Sequence, residues 1–349
     1  MNFIITFLLL LFILGFIVFF HEFGHFIAAK KAGVYISEFS LGMGPKIFGF
    51  KRKNDETEYT LRLLPIGGFV AMANEEDKTL KIKKDRILEN KKFYQKILVL
   101  IMGIVFNFIL AIVLLFFNGL IFGSPELKPY IGEVLENSAA YNSGIKSGDL
   151  ILSVNDKSVS SWDDVLLEIS VKDNSESYKF EIKRESGKYV TTVVPTLEVN
   201  DEGEETKVFG FSKSIERNYG FINALKYAFE ATSKVTKSIF VILGNLFTGQ
   251  IGVDSLSGPV GVYTVVDQLK SEGVETIIYL IAYLSLNVGI INLIPIPVFD
   301  GGRLLLTIIE KIKGKKLNPK VEVYLNYFGF GLLILLMIFV TFNDIIKIL

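Results

Sequence analysis

The chain has 349 residues, half of them hydrophobic and 30 of them phenylalanine, with a mean hydropathy of +0.43, which excludes an ordinary soluble globular protein and points to an integral membrane protein. Lysine plus arginine equals aspartate plus glutamate at 37 each, so the charge balance gives no argument for a nucleic-acid partner, and none is expected. With no cysteine and only two histidines, disulfides, thiol catalysis, thiolate metal sites and three-histidine zinc sites are all excluded.

Residues 3–20 form an unbroken apolar run that leads directly into His21-Glu22-Phe23-Gly24-His25, and the first lysines arrive at Lys30 and Lys31. A basic start and a small-residue cleavage site are both missing, which argues against a signal peptide and for a retained span. On a helix, positions i and i+4 lie about 40° apart, so both imidazoles can reach one metal ion. This is the H-E-x-x-H pattern, in which two histidines bind zinc and the glutamate serves as general base. A chance grouping is a poor explanation, because each ionisable group in a span costs on the order of 3 kcal/mol or more.

Residues 30–96 are rich in lysine and arginine, including Lys51-Arg52-Lys53 and the run 81–86. By the positive-inside rule they are cytoplasmic, which places the N-terminus outside and the motif near the cytoplasmic face. The alternation in 57–64 predicts a strand, and Gly67-Gly68 within 65–72 predicts the turn of a hairpin. At the level of the active site, exposed backbone at Gly67, Gly68, Phe69 and Val70 could pair with an extended substrate; the alternative is a surface hairpin with no catalytic part. A second span covers 97–122, apolar apart from Asn107 and Asn118.

Residues 125–213 are charged and β-branched, with strands expected at 131–134, 149–154, 178–182 and 189–194 and a helix near 162–169, the size of one small domain. Residues 219–250 read as an amphipathic helix on the membrane surface, with a short span as the alternative. A Gly/Ser-containing loop follows at 249–261, then a third span near 274–294, a lysine-rich loop at 311–320 and a last span near 327–341. The second lysine-rich loop is cytoplasmic by the same rule. Between 274 and 309 the acids are Glu275 at the edge and Asp300 inside, after two prolines and before two glycines. That break would let Asp300 turn toward the first helix as a third ligand; the competing reading is a helix N-cap.

Together, His21-Glu22-Phe23-Gly24-His25, the stretch Asn292-Leu293-Ile294-Pro295-Ile296-Pro297-Val298-Phe299-Asp300-Gly301 and the domain between them resemble the site-2 protease family of intramembrane zinc metalloproteases, in particular its RseP/RasP bacterial branch. The resemblance covers nearly the whole chain. It implies Zn2+ held by His21, His25 and Asp300, Glu22 as general base, and Asn292 near the scissile peptide. It also implies that 67–72 is a membrane-entering β-hairpin and that Ser257-Gly258-Pro259-Val260-Gly261 is a recurrent segment. The insert resembles one PDZ domain, through Tyr130-Ile131-Gly132-Glu133-Val134, Ala139-Ala140, Gly144 to Asp149 and Val154-Asn155-Asp156, with Asp156 where glycine is usual. That likeness implies a peptide ligand added as a strand beside Tyr130, Ile131 and Gly132.

The expected fold is a polytopic α-helical membrane protein of about four spans with a membrane-associated β-hairpin and one α+β PDZ domain. The expected parts are a first protease-core segment (1–123), the PDZ domain (124–213), an amphipathic helix and loop (214–272) and a second core segment (273–349). The expected function is regulated intramembrane proteolysis in the bacterial inner membrane. Its substrates would be single-pass transmembrane proteins, such as trimmed anti-sigma factors, or remnant signal peptides, with the PDZ domain outside. A metal or proton transporter would use the same ligands without needing Glu22, and no inverted repeat is visible. A catalytically dead scaffold would have no reason to keep all four polar residues.

Overall fold

A computed structural model describes residues 2–73, 82–171, 176–199, 205–252 and 256–348. Lys81 of the basic run and 253–255 of the Gly/Ser loop lie outside the described residues. The helices are α1 (Asn2–Lys31), α2 (Phe93–Phe122), α3 (Ala139–Asn142), α4 (Trp162–Val171), α5 (Phe221–Phe247), α6 (Pro259–Leu269), α7 (Val274–Leu293), α8 (Asp300–Lys313) and α9 (Pro319–Ile348). The strands are β1 (Ile36–Lys51), β2 (Glu58–Met72), β3 (Ser124–Pro125), β4 (Ile131–Val134), β5 (Leu150–Val154), β6 (Lys157–Ser158), β7 (Tyr178–Arg184), β8 (Gly187–Val193), β9 (Thr196–Val199), β10 (Glu205–Val208), β11 (Phe211–Lys213) and β12 (Arg217–Asn218). The chain divides into two compact units, one of 1–114 with 252–349 and one of 115–251.

Four helices among the described residues, α1, α2, α7 and α9, are long and apolar enough to cross a membrane, as the hydropathy predicts. Only 11% of the most apolar window of α9 is buried within the protein, so its side chains are left for lipid. The first unit is built on α1. At its C-terminal end the lysines complement the helix dipole, and Lys30 Nζ donates to Asp55 Oδ2 at 2.7 Å in the turn between β1 and β2. At its N-terminal end Thr6 Oγ1 donates to Asp267 Oδ1 of α6 at 2.6 Å, and Lys270 Nζ donates to Thr6 Oγ1 at 2.6 Å. The recurrent Ser257 to Gly261 segment opens α6. The backbone N–H groups of Gly258 and Gly261 donate to Asp344 Oδ2 of α9 at 2.9 and 2.8 Å, so a buried carboxylate satisfies the start of a helix that also carries Pro259 in its first turn.

The β-hairpin doubles back more often than its sequence-based expectation. One turn lies between Lys51 and Glu58, where Asn54 takes a positive φ of 70°, and β2 itself reverses between Leu61 and Gly68: 58–61 run parallel to 38–41, 68–71 run antiparallel to them, and Gly67 at the reversal has a φ of 80°. The partner strand is β1, whose Gly42, Gly44, Pro45 and Gly49 interrupt the alternation that marks a strand. Pairs from Lys51↔Glu58 to Lys46↔Arg62 close the hairpin, while Ile36↔Met72 to Leu41↔Gly68 set the end of β2 beside the start of β1. Among the described residues β2 pairs with β1 alone, so 68–72 has an open edge.

The second unit contains an α+β domain. A four-stranded antiparallel sheet in the order β6-β5-β7-β8 buries Ile151, Val154, Tyr178, Phe180 and Ile182 against Trp162 and Val165 of α4. β4 pairs with β11, β9 with β10, and β3 with β12, the last bringing the two ends of the insert together. Helix α5 buries Ala224, Tyr227, Ala228, Ala231, Val235 and Ile239, a single stripe at helical spacing, and it is not among the helices apolar enough to span. Lys234 Nζ donates to the carbonyls of Leu127 at 2.8 Å and Ser160 at 2.9 Å, and its burial pushes the ammonium below the ordinary lysine range.

Candidate metal centre and catalytic cavity

The two histidines face α2 and α8. His21 Nε2 lies 3.0 Å and His25 Nε2 3.1 Å from the same atom, Asp300 Oδ2, and the two Nε2 atoms are 3.2 Å apart. Asp300 reaches them because α7 ends at Leu293 and the chain turns through Pro295 and Pro297 before α8 begins. Val298, β-branched, is held at a φ of 96°, a strained backbone at the residue before the cap Phe299. A Cβ on Gly301 would lie 2.2 Å from the Leu293 carbonyl, so glycine is required where α8 starts against the end of α7. Asp300 is the first residue of α8, and the N-cap position is Phe299, which makes no side-chain cap bond. The carboxylate is turned to the histidines.

Helix α2 supplies the support, from three residues spaced by four on one face. The Val99 carbonyl lies 2.7 Å from His25 Nδ1, and the Asn107 side-chain amide lies 3.2 Å from His21 Nδ1. Between them a Cβ on Gly103 would stand 2.3 Å from His25 Nε2 and 2.8 Å from His21 Cε1, so only glycine lets α2 approach. Ser285 Oγ of α7 donates to the Asn107 carbonyl at 2.9 Å. Sequence reasoning missed Val99 and Gly103. A backbone carbonyl and an absent side chain leave no mark on composition, whereas Asn107 was visible as a polar residue in an apolar span.

A cavity of about 730 Å³ opens onto these groups and is also lined by Glu22, Asn292 and Phe69 to Ala73 of the β2 end. Glu22 stands beside the ligand group, its Cγ 3.6 Å from where a Cβ on Gly68 would sit. The end of β2 thus borders the same cavity as His21, Glu22, His25 and Asp300. Gly67 and Gly68 are buried, and Phe69 and Val70 half-buried. Asn292 reaches the cavity while its Nδ2 donates to the Val288 carbonyl of its own helix at 2.9 Å.

The insert residues are placed differently. Ser214 N donates to Tyr130 O at 3.0 Å, Ile131 N to Asp149 O at 2.8 Å, and Gly148 N to Ile131 O at 2.8 Å. A Cβ on Gly132 would lie 2.6 Å from the Lys213 carbonyl. Tyr130 and Ile131 are therefore flanked on both sides, and Gly132 is closed off by Lys213 on one. Among the described residues β11 pairs with β4 alone, and its Phe211 ring lies 5.8 Å from Trp162 of α4.

A profile of peptidase family M50 matches residues 9–336. The chain belongs to this family. As an M50 peptidase it is an intramembrane zinc metalloprotease. It is 34% identical to the regulator of sigma-W protease RasP of Bacillus subtilis over an alignment 422 positions long, gaps included, covering 98% of this chain and 99% of the relative. The zinc metalloproteases RasP of Bacillus licheniformis and Geobacillus kaustophilus are 34% and 31% identical, over 99% and 96% of this chain and the same shares of the relatives. The M50 centre fits zinc on its own donor chemistry. His21, His25 and Asp300 offer one ligand atom each, all within 4.8 Å of one another. Because a carbonyl can only accept, His25 Nδ1 carries the proton toward Val99, and a neutral His25 turns a bare Nε2 lone pair to the Asp300 oxygen. A cation between the two resolves that opposition. Three protein ligands with a carboxylate left free beside them is the pattern of a catalytic zinc site with an open position.

Proposed function

We propose that His21, His25 and Asp300 hold the zinc, that Glu22 is the general base, and that the substrate is a transmembrane segment cut in extended form against the edge of β2. When bound, the metal supplies Lewis acidity that polarises the scissile carbonyl and acidifies the attacking water. Glu22 takes the proton from that water and hands it to the leaving amine. Helical amides are bonded within the helix and shielded, so a substrate must unwind before it is cut, and backbone pairing on 68–72 stabilises the unwound form. Asn292, on the cavity wall, positions the peptide. The observation that carries this reading is the shared cavity: a two-histidine, one-aspartate ligand group, a free glutamate and the end of β2 face the same space.

The name of the Bacillus subtilis relative, a regulator of sigma-W, favours single-pass regulators such as trimmed anti-sigma factors, with remnant signal peptides as a second substrate class. The lysine distribution places the centre near the cytoplasmic face and the insert outside. The insert acts as a PDZ domain whose peptide strand adds along β11, since Tyr130 and Ile131 are flanked on both sides. Incubating the purified protein in detergent with a reporter transmembrane substrate tests the reading. Wild type should cut it and Glu22→Gln should be slower by about 100- to 10,000-fold. Equal cleavage by the two would sink the mechanism.

A further inference from the structure

The two imidazoles are supported by the same face of α2, but their supports differ. His25 Nδ1 meets a carbonyl, Val99 O, at 2.7 Å. His21 Nδ1 meets the Asn107 amide with Nδ2 turned toward it at 3.2 Å, while Oδ1 of that amide is buried and has no hydrogen-bond partner among the described residues. Asn107 is fully buried. An amide nitrogen can only donate, so in this arrangement His21 Nδ1 accepts and the ring proton sits on Nε2, directed at Asp300. That arrangement suits a His21–Asp300 hydrogen bond and is incompatible with Nε2 as a metal ligand. A half-turn of the amide about its last side-chain torsion brings the unpartnered Oδ1 onto Nδ1, where it accepts a proton, and leaves Nε2 with its lone pair.

We infer that Asn107 is a positioning residue for the zinc centre, whose Oδ1 holds His21 in the Nδ1–H tautomer as the Val99 carbonyl holds His25. The inference rests on the zinc-ligand reading above. His21 is neutral in both arrangements, with its one proton on Nε2 in the first and on Nδ1 in the second, which frees the Nε2 lone pair for the metal. The Ser285 bond to the Asn107 carbonyl fixes the backbone from which the amide turns. A support that fixes ligand tautomer and orientation is worth about 10–100-fold in metal affinity.

The test measures zinc affinity of the purified full-length protein in detergent by competition with a chromophoric chelator. Asn107→Ala should bind zinc about 10–100-fold more weakly than wild type. Asn107→Asp, the same shape with acceptors only, should stay within a few-fold of wild type. Unchanged affinity in Asn107→Ala, or equal weakening in both variants, would overturn the inference. Because the chain has only two histidines, 15N-histidine labelling reads the tautomers directly in wild type and does not depend on a variant folding. In the zinc-loaded protein Nδ1 of both rings should carry the proton, and an unprotonated Nδ1 on His21 would overturn the role of Asn107. Failure of wild type itself to bind zinc through these rings would instead sink the metal-centre reading.

Discussion

Gly103 shows how little room the metal centre leaves. Adding one methyl group there places carbon 2.3 Å from His25 Nε2, with the rigid backbones of two packed helices behind it. Gly103→Ala is expected to lose most bound zinc while the second unit stays folded, measured as metal content per chain alongside limited proteolysis. The catalytic motif was legible in the sequence because His21 and His25 share a helix at i,i+4 spacing and interrupt an apolar run. Asp300 was legible by scarcity, as the acid inside its stretch of the chain. Val99 and Gly103 were not legible, since their roles exist only once α2 lies against α1. Tyr130 to Gly132 were assigned as a binding edge from the resemblance to a PDZ domain, and strand pairing distant in sequence covers Tyr130 and Ile131 on both sides.

Among the elements, α6 is held at both ends: Asp344 of α9 meets its start, and Thr6 of α1 meets Asp267 and Lys270 at its end. Asp344 is 4% exposed and accepts from two backbone N–H groups at the start of α6. Its removal leaves two half-buried donors without that acceptor, so Asp344→Ala should destabilise the first unit by about 1–3 kcal/mol and Asp344→Asn by less, read as thermal unfolding in detergent. The turn of the β1–β2 hairpin is tied to α1 through Asp55, whose carboxyl is held well below the ordinary carboxylate range by Lys30, with help from the Thr57 N–H and the Tyr59 hydroxyl. A depressed folded-state value means stability present above the unfolded value of about 4 and lost as pH falls below it. Asp55→Asn should therefore lower the unfolding temperature at neutral pH, with the gap to wild type closing as the pH drops below about 4. The spans and most insert strands were legible from hydropathy and alternation. β1 was not, because its glycines and proline break that alternation.

At the scale of the whole molecule, the charge distribution carries the proposed topology. Single cysteines placed at Lys53 and Lys157 in this cysteine-free chain should label from opposite sides of the membrane. Labelling of both by an impermeant reagent on intact cells would refute the assignment. On the proposed topology, with the insert outside and the centre near the inner face, the insert would admit or exclude substrates. Its ends are joined by the β3–β12 pair, which makes excision of about 126–213 practicable. The excised protein should keep its zinc and cut substrates with large outer domains that wild type rejects, measured with long and trimmed versions of one reporter. Unchanged discrimination would remove the gate. The central claim is that residues some 280 positions apart form one zinc centre with a separate base. It is tested most directly by zinc content per purified chain in wild type, Asp300→Ala and Glu22→Gln. One zinc in wild type, little in Asp300→Ala, and one zinc with turnover abolished in Glu22→Gln is the expected result. Full zinc and full activity in Asp300→Ala would contradict it.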